Sequence, residues 1–400
     1  MVYKPSRKIL DKYADVLVKF ALNSGKGVKK DEVVFLQVPE SAKPLLASLQ
    51  RSILKSGANP IIQYLPDSMY REFYELASPD QLKFFPATFM KGRIKQADHF
   101  LMILAETDYH ELEGIDPRLI MERNMVFKPY MDWRNEKENK GKLTWTIGLF
   151  PTPAMASEAK LTLRQAWQQV IKACFLNYQD PVSKWQRVQG KSEKIRQKLN
   201  KLQIVQVNIK SEKTDLNITI GQNRQWLGGG GRNIPSFEIF TSPDWRGTNG
   251  YIYFDQPLYR QGNLIKNIKL TFKDGLVVKS EAGYGEKYLQ ELIKTLNSDK
   301  IGEFSLTDKR FSKINKFMAE TLYDENFGGP FGNTHIALGA SYKDTYDGKI
   351  IKLTPKDWEN MGFNDSSVHT DIISTQNRIV TATLKSGKKI ILYQDGEFQI

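Results

Sequence analysis

Imidazoles and carboxylates gather toward the end of this 400-residue chain. It has only 4 histidines, and two of them, His335 and His369, fall in the last quarter. His369 stands in Val368-His369-Thr370-Asp371. In a strand, residues two apart face the same side, so His369 and Asp371 can reach one cation, or act as a ligand and the partner that orients it. His335 follows a glycine-rich loop that opens with Asp324-Glu325. Mixed nitrogen and oxygen donors suit a divalent metal, and divalent metals in proteins activate water and polarise carbonyls. The pattern is that of an enzyme.

Three further stretches hold possible ligands, each with a plainer reading beside it. In Asn233-Ile234-Pro235-Ser236-Phe237-Glu238-Ile239-Phe240-Thr241-Ser242-Pro243, Glu238 is an acid among apolar residues. Burying such a carboxylate is costly unless a cation or a hydrogen bond compensates. In Ile301-Gly302-Glu303-Phe304-Ser305-Leu306, Glu303 enters a strand and taken alone reads as an exposed acid. The stretch Leu322-Tyr323-Asp324-Glu325-Asn326-Phe327-Gly328-Gly329 passes by itself for an ordinary loop. His335, against the apolar run Ile336-Ala337-Leu338, reads alone as a core histidine, and the Tyr342 that follows as a packed aromatic.

The elements that must position these groups fall into two halves. Arg7 to Leu22 has apolar residues at helical spacing, and Glu32–Val38 is a β-branched strand followed by a helix through Ala42–Lys55. Gly57–Tyr64 is a turn and a second strand, and Asp98–Leu104 another buried strand. Strand, helix, strand with near-continuous apolar strands predicts an α/β domain with an open, mostly parallel sheet over residues 1–195. From residue 196 to 400 the texture is β-rich with a few helices, an α+β domain that carries the candidate ligands. Strands are expected through Leu202–Ile220, Tyr251–Phe254, Ile265–Phe272 and Val277–Lys279, a helix over Gly283–Leu296, and a hairpin around Ser386-Gly387. Gly228 to Gly231 reads as a local flexible loop.

Composition narrows the class. A hydrophobic fraction of 40% and an aromatic fraction of 11% describe an ordinary folded protein. No apolar run approaches the roughly 18–20 residues that span a bilayer, and the basic N-terminus lacks the apolar core of a signal peptide. The single cysteine, Cys174, excludes an internal disulfide and a thiolate zinc site, reads as a buried small hydrophobe, and makes the cytoplasm the simplest location. The net charge of +13 concentrates between Lys184 and Lys201, where apolar residues recur at helical spacing. That is a solvated helix joining two domains, and no nucleic-acid module accompanies it. Gly25-Lys26-Gly27 precedes its strand, and Trp185 stands where a phosphate loop ending in Gly190-Lys191-Ser192 needs glycine, so neither makes a nucleotide site.

The order and wording of the ligand-bearing stretches resemble the thermophilic metalloaminopeptidases of the aminopeptidase T and S type. That family has an Asn-x-Pro-Ser-Gly-Glu-x-Phe-Thr-x-Pro segment, a Gly-Glu strand, an Asp-Glu-Asn loop, a His-x-Ala-x-Gly-x-x-Tyr segment and a closing His-x-Asp. Lys29-Lys30-Asp31-Glu32-Val33-Val34, Ser56-Gly57-Ala58 and Pro151-Thr152-Pro153-Ala154-Met155-Ala156 extend the likeness into the first half. The resemblance implies metal ligands at Glu238, Glu303, Glu325, His335, His369 and Asp371 and a catalytic tyrosine at Tyr342; a carboxylate not fully committed to metal would carry the proton, and Glu303 is our choice for it. Four carboxylates and two imidazoles in one half suggest two divalent ions, and zinc, cobalt and manganese all suit such mixed donors; the resemblance implies peptide substrates with a free N-terminus and a homodimer. Phe237 departs from the family, which usually has glycine there, and Phe327–Asn333 is longer than in its better-known members. Two other readings use the same residues: metal-dependent hydrolysis of another bond, such as a phosphodiester, and a non-catalytic basic binding protein whose acids are structural.

Overall fold

The structure is a computed structural model that describes residues 3–228, 230–260, 263–349 and 353–400. Gly229, within the glycine run read as a flexible loop, lies outside the described residues, as do the first two residues. The chain divides into two compact units. The first comprises Met1–Gly190, Gly229–Ser236 and Met318–Leu322, the second Lys191–Gly228, Phe237–Phe317 and Tyr323–Ile400.

In the first unit β1 (Val33–Pro39), β2 (Asn59–Leu65), β3 (His99–Leu104) and β4 (Thr144–Leu149) form a parallel sheet in the order β2-β1-β3-β4, extended beyond β4 by Asn233–Ile234. Val34, Leu36, Val38, Leu101 and Ile103 are fully or almost fully buried, which is why β1 and β3 read as apolar runs, whereas β2 keeps Ile61, Ile62 and Tyr64 exposed. Helices fill the crossovers, as parallel pairing demands. The helix Arg7–Val16 is capped by the Ser6 hydroxyl, and its Tyr13 hydroxyl donates to the Leu149 carbonyl and accepts from the Leu149 N–H. The end of β4 is thereby tied to that helix. Cys174 is buried just past the helix Leu163–Ala173. The basic segment forms the helix Pro181–Lys201, with Trp185, Ile195 and Leu199 buried and Lys191, Lys194 and Lys198 exposed.

The second unit is built mainly from antiparallel sheets. One runs Leu276–Glu281, Ile268–Lys273, Asn249–Phe254, Thr214–Thr219, Ile204–Ser211, Ile379–Leu384, Lys389–Gln394 and Glu397–Phe398. The other contains β5 (Glu238–Thr241), β6 (Ile301–Thr307), β7 (Asn333–Gly339) and β8 (His369–Ser374) in the order β8-β7-β6-β5, with Leu227–Gly228 beyond β5. Every residue of β5, β6 and β7 is buried. Ile239, Phe304, Leu306, Ile336 and Leu338 occupy one face of this sheet. The opposite face is polar and, over these three strands, buried as well. A solvated polar face is ordinary for an antiparallel sheet; a buried one has to satisfy its polar groups internally.

Candidate metal centre

Strand register alone assembles the polar face. In β6 and β7, Glu303 pairs with Ala337 and Ser305 with His335. Across the next boundary Ala337 pairs with Asp371 and Gly339 with His369, while Thr307 pairs with Glu238 on the other side. Paired residues share a face and alternate residues along a strand return to it. Glu238, Glu303, His335, His369 and Asp371 therefore project to one side of one sheet. Gly302 permits this arrangement. A Cβ there would meet the Ala340 and Gly339 carbonyl oxygens at 2.3 and 2.5 Å, and the register shifts between Ile301 and Glu303. A glycine at a bulge is the ordinary way for backbone to come this close.

Among the described residues two donor groups form, Glu238 with Glu303 and His335, and Glu303 with His369 and Asp371. His335 Nε2 lies 3.4 Å from Glu238 Oε2 and 3.4 Å from Glu303 Oε1. His369 Nε2 lies 3.3 Å from Glu303 Oε2 and 3.5 Å from Asp371 Oδ1. Donors around a tetrahedral cation with bonds of about 2.1 Å are about 3.4 Å apart, so the spacing and the donor chemistry fit divalent metal. His369 donates Nδ1–H to the Ala340 carbonyl at 2.7 Å, which turns Nε2 toward the carboxylates. Glu303, with one oxygen toward each imidazole, belongs to both groups.

The electrostatics show the same demand for positive charge. Burial and the Glu303 and Asp371 charges push the Glu238 carboxyl above its ordinary range, against the pull of His335. Glu325 is raised further, by burial and then by Glu238, Asp371 and Glu303. Burial works against charge on the histidines, yet Glu238, Glu303 and Asp371 raise His335 well above its usual value. His369 is likewise opposed by burial and is raised to about 10 by Asp371 and Glu303. Asp371 is disfavoured by burial but held at about 2 by His369, with help from His335 and Arg260. Protons on the imidazoles thus compensate clustered carboxylates where cations would otherwise do so.

The sequence-predicted residues are distributed as follows. Glu238, Glu303, His335, His369 and Asp371 form the two groups. Glu325 is 4% exposed and close enough to feel all the other carboxylates, but it stands in neither group. It comes from the loop after Thr321–Asp324, not from a strand. The Tyr342 ring lies 4.7 Å from the His369 ring, centroid to centroid, and its backbone N–H donates to Ser242 Oγ. Glu303, taken alone an exposed acid, is 3% exposed, because both faces of β6 are covered. A role for it as a proton carrier would require one of its oxygens to leave an imidazole. Phe237 is buried, and its N–H donates to Asn326 Oδ1 at 2.6 Å. Several contributors were given no role in the sequence: Gly302, Ser305 (whose hydroxyl donates to Glu238 Oε2 at 3.5 Å), Arg260 and Asn326. Only Gly302 and Asn326 carried a signal, as immediate neighbours of the acids.

Comparison with known proteins gives the family and the fold. The family model of thermophilic metalloprotease (M29) matches residues 6–398. The chain belongs to that family, and is therefore a metal-dependent peptidase by class. Aminopeptidase PepS of Streptococcus thermophilus is 26% identical, with 100% of both chains covered. Aminopeptidase T of Thermus thermophilus is 25% identical over 98% of this chain and 99% of its own. A solved structure, wild-type AmpT from Thermus thermophilus, superposes with a TM-score of 0.83 at 24% identity, covering 98% of this chain and 100% of the other. The fold is that of AmpT: a parallel α/β region followed by a mostly antiparallel one.

Proposed function

We propose that this chain is an aminopeptidase that removes residues from the free N-terminus of peptides, using two divalent ions held on the polar face of the β8-β7-β6-β5 sheet. The observation that carries the reading is the pair of donor groups joined through Glu303. Glu238, Glu303 and His335 would hold one ion and Glu303, His369 and Asp371 the other, with Glu325 contributing from its loop. Zinc, cobalt and manganese all suit these donors. When bound, such ions supply Lewis acidity toward a peptide carbonyl and lower the pKa of water. The relatives named aminopeptidases support this choice of substrate over a phosphodiester, and family membership weighs against a non-catalytic binding role.

The chain's own residues supply the rest. The Ala340 carbonyl fixes the His369 tautomer. Tyr342, in contact with that ring, is the proposed donor of a hydrogen bond to the developing oxyanion or of a proton to the leaving nitrogen. The cluster of buried carboxylates suits a substrate ammonium group, which would favour free N-termini. A homodimer is proposed as well. Exposed apolar side chains of the first unit, including Ile62, Tyr64, Tyr70, Leu76, Phe84 and Phe89, offer surface for a second copy. Among the described residues no helix is long and apolar enough to cross a membrane; a single buried cysteine suits a reducing compartment, and the cytoplasm is the proposed location.

Incubation with matched free and N-acetylated peptides tests the substrate. Mass spectrometry is expected to find stepwise loss of N-terminal residues from the free peptides only, abolished by chelation and restored by added metal. Equal cleavage of the acetylated series would refute an aminopeptidase.

A further inference from the structure

Five of the candidate ligands are positioned by strand register, and a sheet holds its side chains within narrow limits. Glu325 has no such support. It sits in a loop, is 4% exposed, and its carboxylate feels the charges of Glu238, Asp371 and Glu303, which repel it, and of His335, which draws it. Something other than a ladder must hold it.

The local hydrogen bonds meet that need in two layers. The Glu325 backbone carbonyl accepts from Asn333 Nδ2 at 2.7 Å and from the Thr307 hydroxyl at 3.1 Å, so strands β6 and β7 both grip the loop. The side chain is met by the next residue. Asn326 is fully buried; its Nδ2 donates to Glu325 Oε1 at 3.4 Å, and its Oδ1 accepts the Phe237 N–H at 2.6 Å. Phe237 immediately precedes Glu238. One amide therefore links the loop carboxylate to the backbone entering the first strand ligand. An amide suits this task because it offers a donor and an acceptor in one plane without adding charge to an already anionic cluster.

We infer that Asn326 is a positioning residue of the metal centre: it aims the Glu325 carboxylate and fixes it relative to Glu238, so that a loop acid serves beside strand acids. The inference rests on the metal-centre reading above. Outer hydrogen-bond partners of metal ligands typically change metal affinity about 10–100-fold when removed, and the same scale is expected here.

Cobalt binding to metal-free protein, by calorimetry and by the visible spectrum of the bound ion, tests this. Asn326→Ala is expected to weaken one of the two ions about 10–100-fold and to alter its spectrum, while the other ion binds as in the wild type. Glu325→Ala should weaken the same ion, and the double variant should bind no more weakly than Glu325→Ala alone, because Asn326 acts through that carboxylate. Additive losses would mean a general structural role and would overturn the inference. So would wild-type binding by Asn326→Ala. Should Asn326→Ala not fold, Asn326→Asp keeps the acceptor for the Phe237 N–H and turns the Glu325 contact into a repulsion. It is expected to show the same selective loss, and binding as tight as the wild type overturns the proposal. A wild-type protein that binds no cobalt would refute the metal centre itself, a result distinct from equal binding by wild type and variant.

Discussion

Glu303 and His335 approach within 3.4 Å although they are not cross-strand partners: His335 is paired with Ser305, and Glu303 with Ala337. The contact is diagonal, from one row of the sheet to the next. It brings the carboxylate between two imidazoles, since Asp371 and His369 repeat the arrangement on the far side of β7. A carboxylate at the crossing of two rows is shared by construction, and the consequences of losing it differ from those of losing any neighbour.

Glu303→Ala removes a donor from both groups. Peptide release is expected to fall at least about 10³-fold, on the scale of losing a central catalytic group, and excess cobalt should not restore it. His335→Ala damages one group only, and excess cobalt should recover part of its activity. Equal rescue of both variants would argue against a shared ligand.

Tyr342→Phe keeps the ring against His369 and removes only the hydroxyl. Loss of one oxyanion donor costs about 10²–10³ in kcat. That loss is expected with metal content and KM little changed. Steady-state kinetics with parallel metal analysis decides it, and unchanged kcat would remove Tyr342 from the chemistry.

The pH dependence of the metal-free protein follows from its histidines and acids. His369 is raised from an ordinary 6.5 to about 10, so its stabilisation is complete below pH 6.5 and lost as pH rises toward 10. Raised His335, Glu238 and Glu325 act in the same direction, each favouring the protonated state of the fold. Asp371, held at about 2, contributes above its ordinary 3.8 and is lost only in strong acid. In chelator, Tm is expected to decline steadily between pH 6.5 and 10, and metal should flatten the curve. A chelated protein more stable at pH 9 than at pH 6.5 would contradict these shifts.

Gly302→Ala would press a methyl group against backbone oxygens at 2.3 and 2.5 Å, with no flexible side chain to yield. Overpacking of this kind costs roughly 1–3 kcal/mol, and here the displaced strand carries Glu303. A lower Tm together with weaker metal binding is expected. Chemical denaturation and metal titration of the same variant check both.

Much of this was legible in the chain and some was not. Buried parallel strands announce themselves as apolar runs, as in Val33–Val38 and Phe100–Leu104, so the first half's parallel sheet could be expected. His369 and Asp371 could be placed on one face from their spacing alone. The diagonal contact of Glu303 with His335 could not, because register between strands 32 residues apart depends on pairing that no local pattern encodes. For the same reason Glu303 read as exposed: an acid alternating with Phe304 and Leu306 looks like a solvated face until another layer is known to cover it. Glu325 stood out only through a resemblance, since loop ligands have no periodicity. Asn326 stood in the Asp-Glu-Asn motif without a role of its own, because amides beside acids are common in turns.

The most direct test of the two-ion centre is a count of bound metal per chain. Protein loaded with zinc or cobalt after chelation, freed of excess metal and analysed by elemental mass spectrometry, is expected to hold two ions. Peptidase activity should rise as the sites fill, and Glu303→Ala should hold fewer ions than either His335→Ala or His369→Ala. A saturated, folded and active wild-type chain holding a single ion, or none, would contradict the shared role assigned to Glu303.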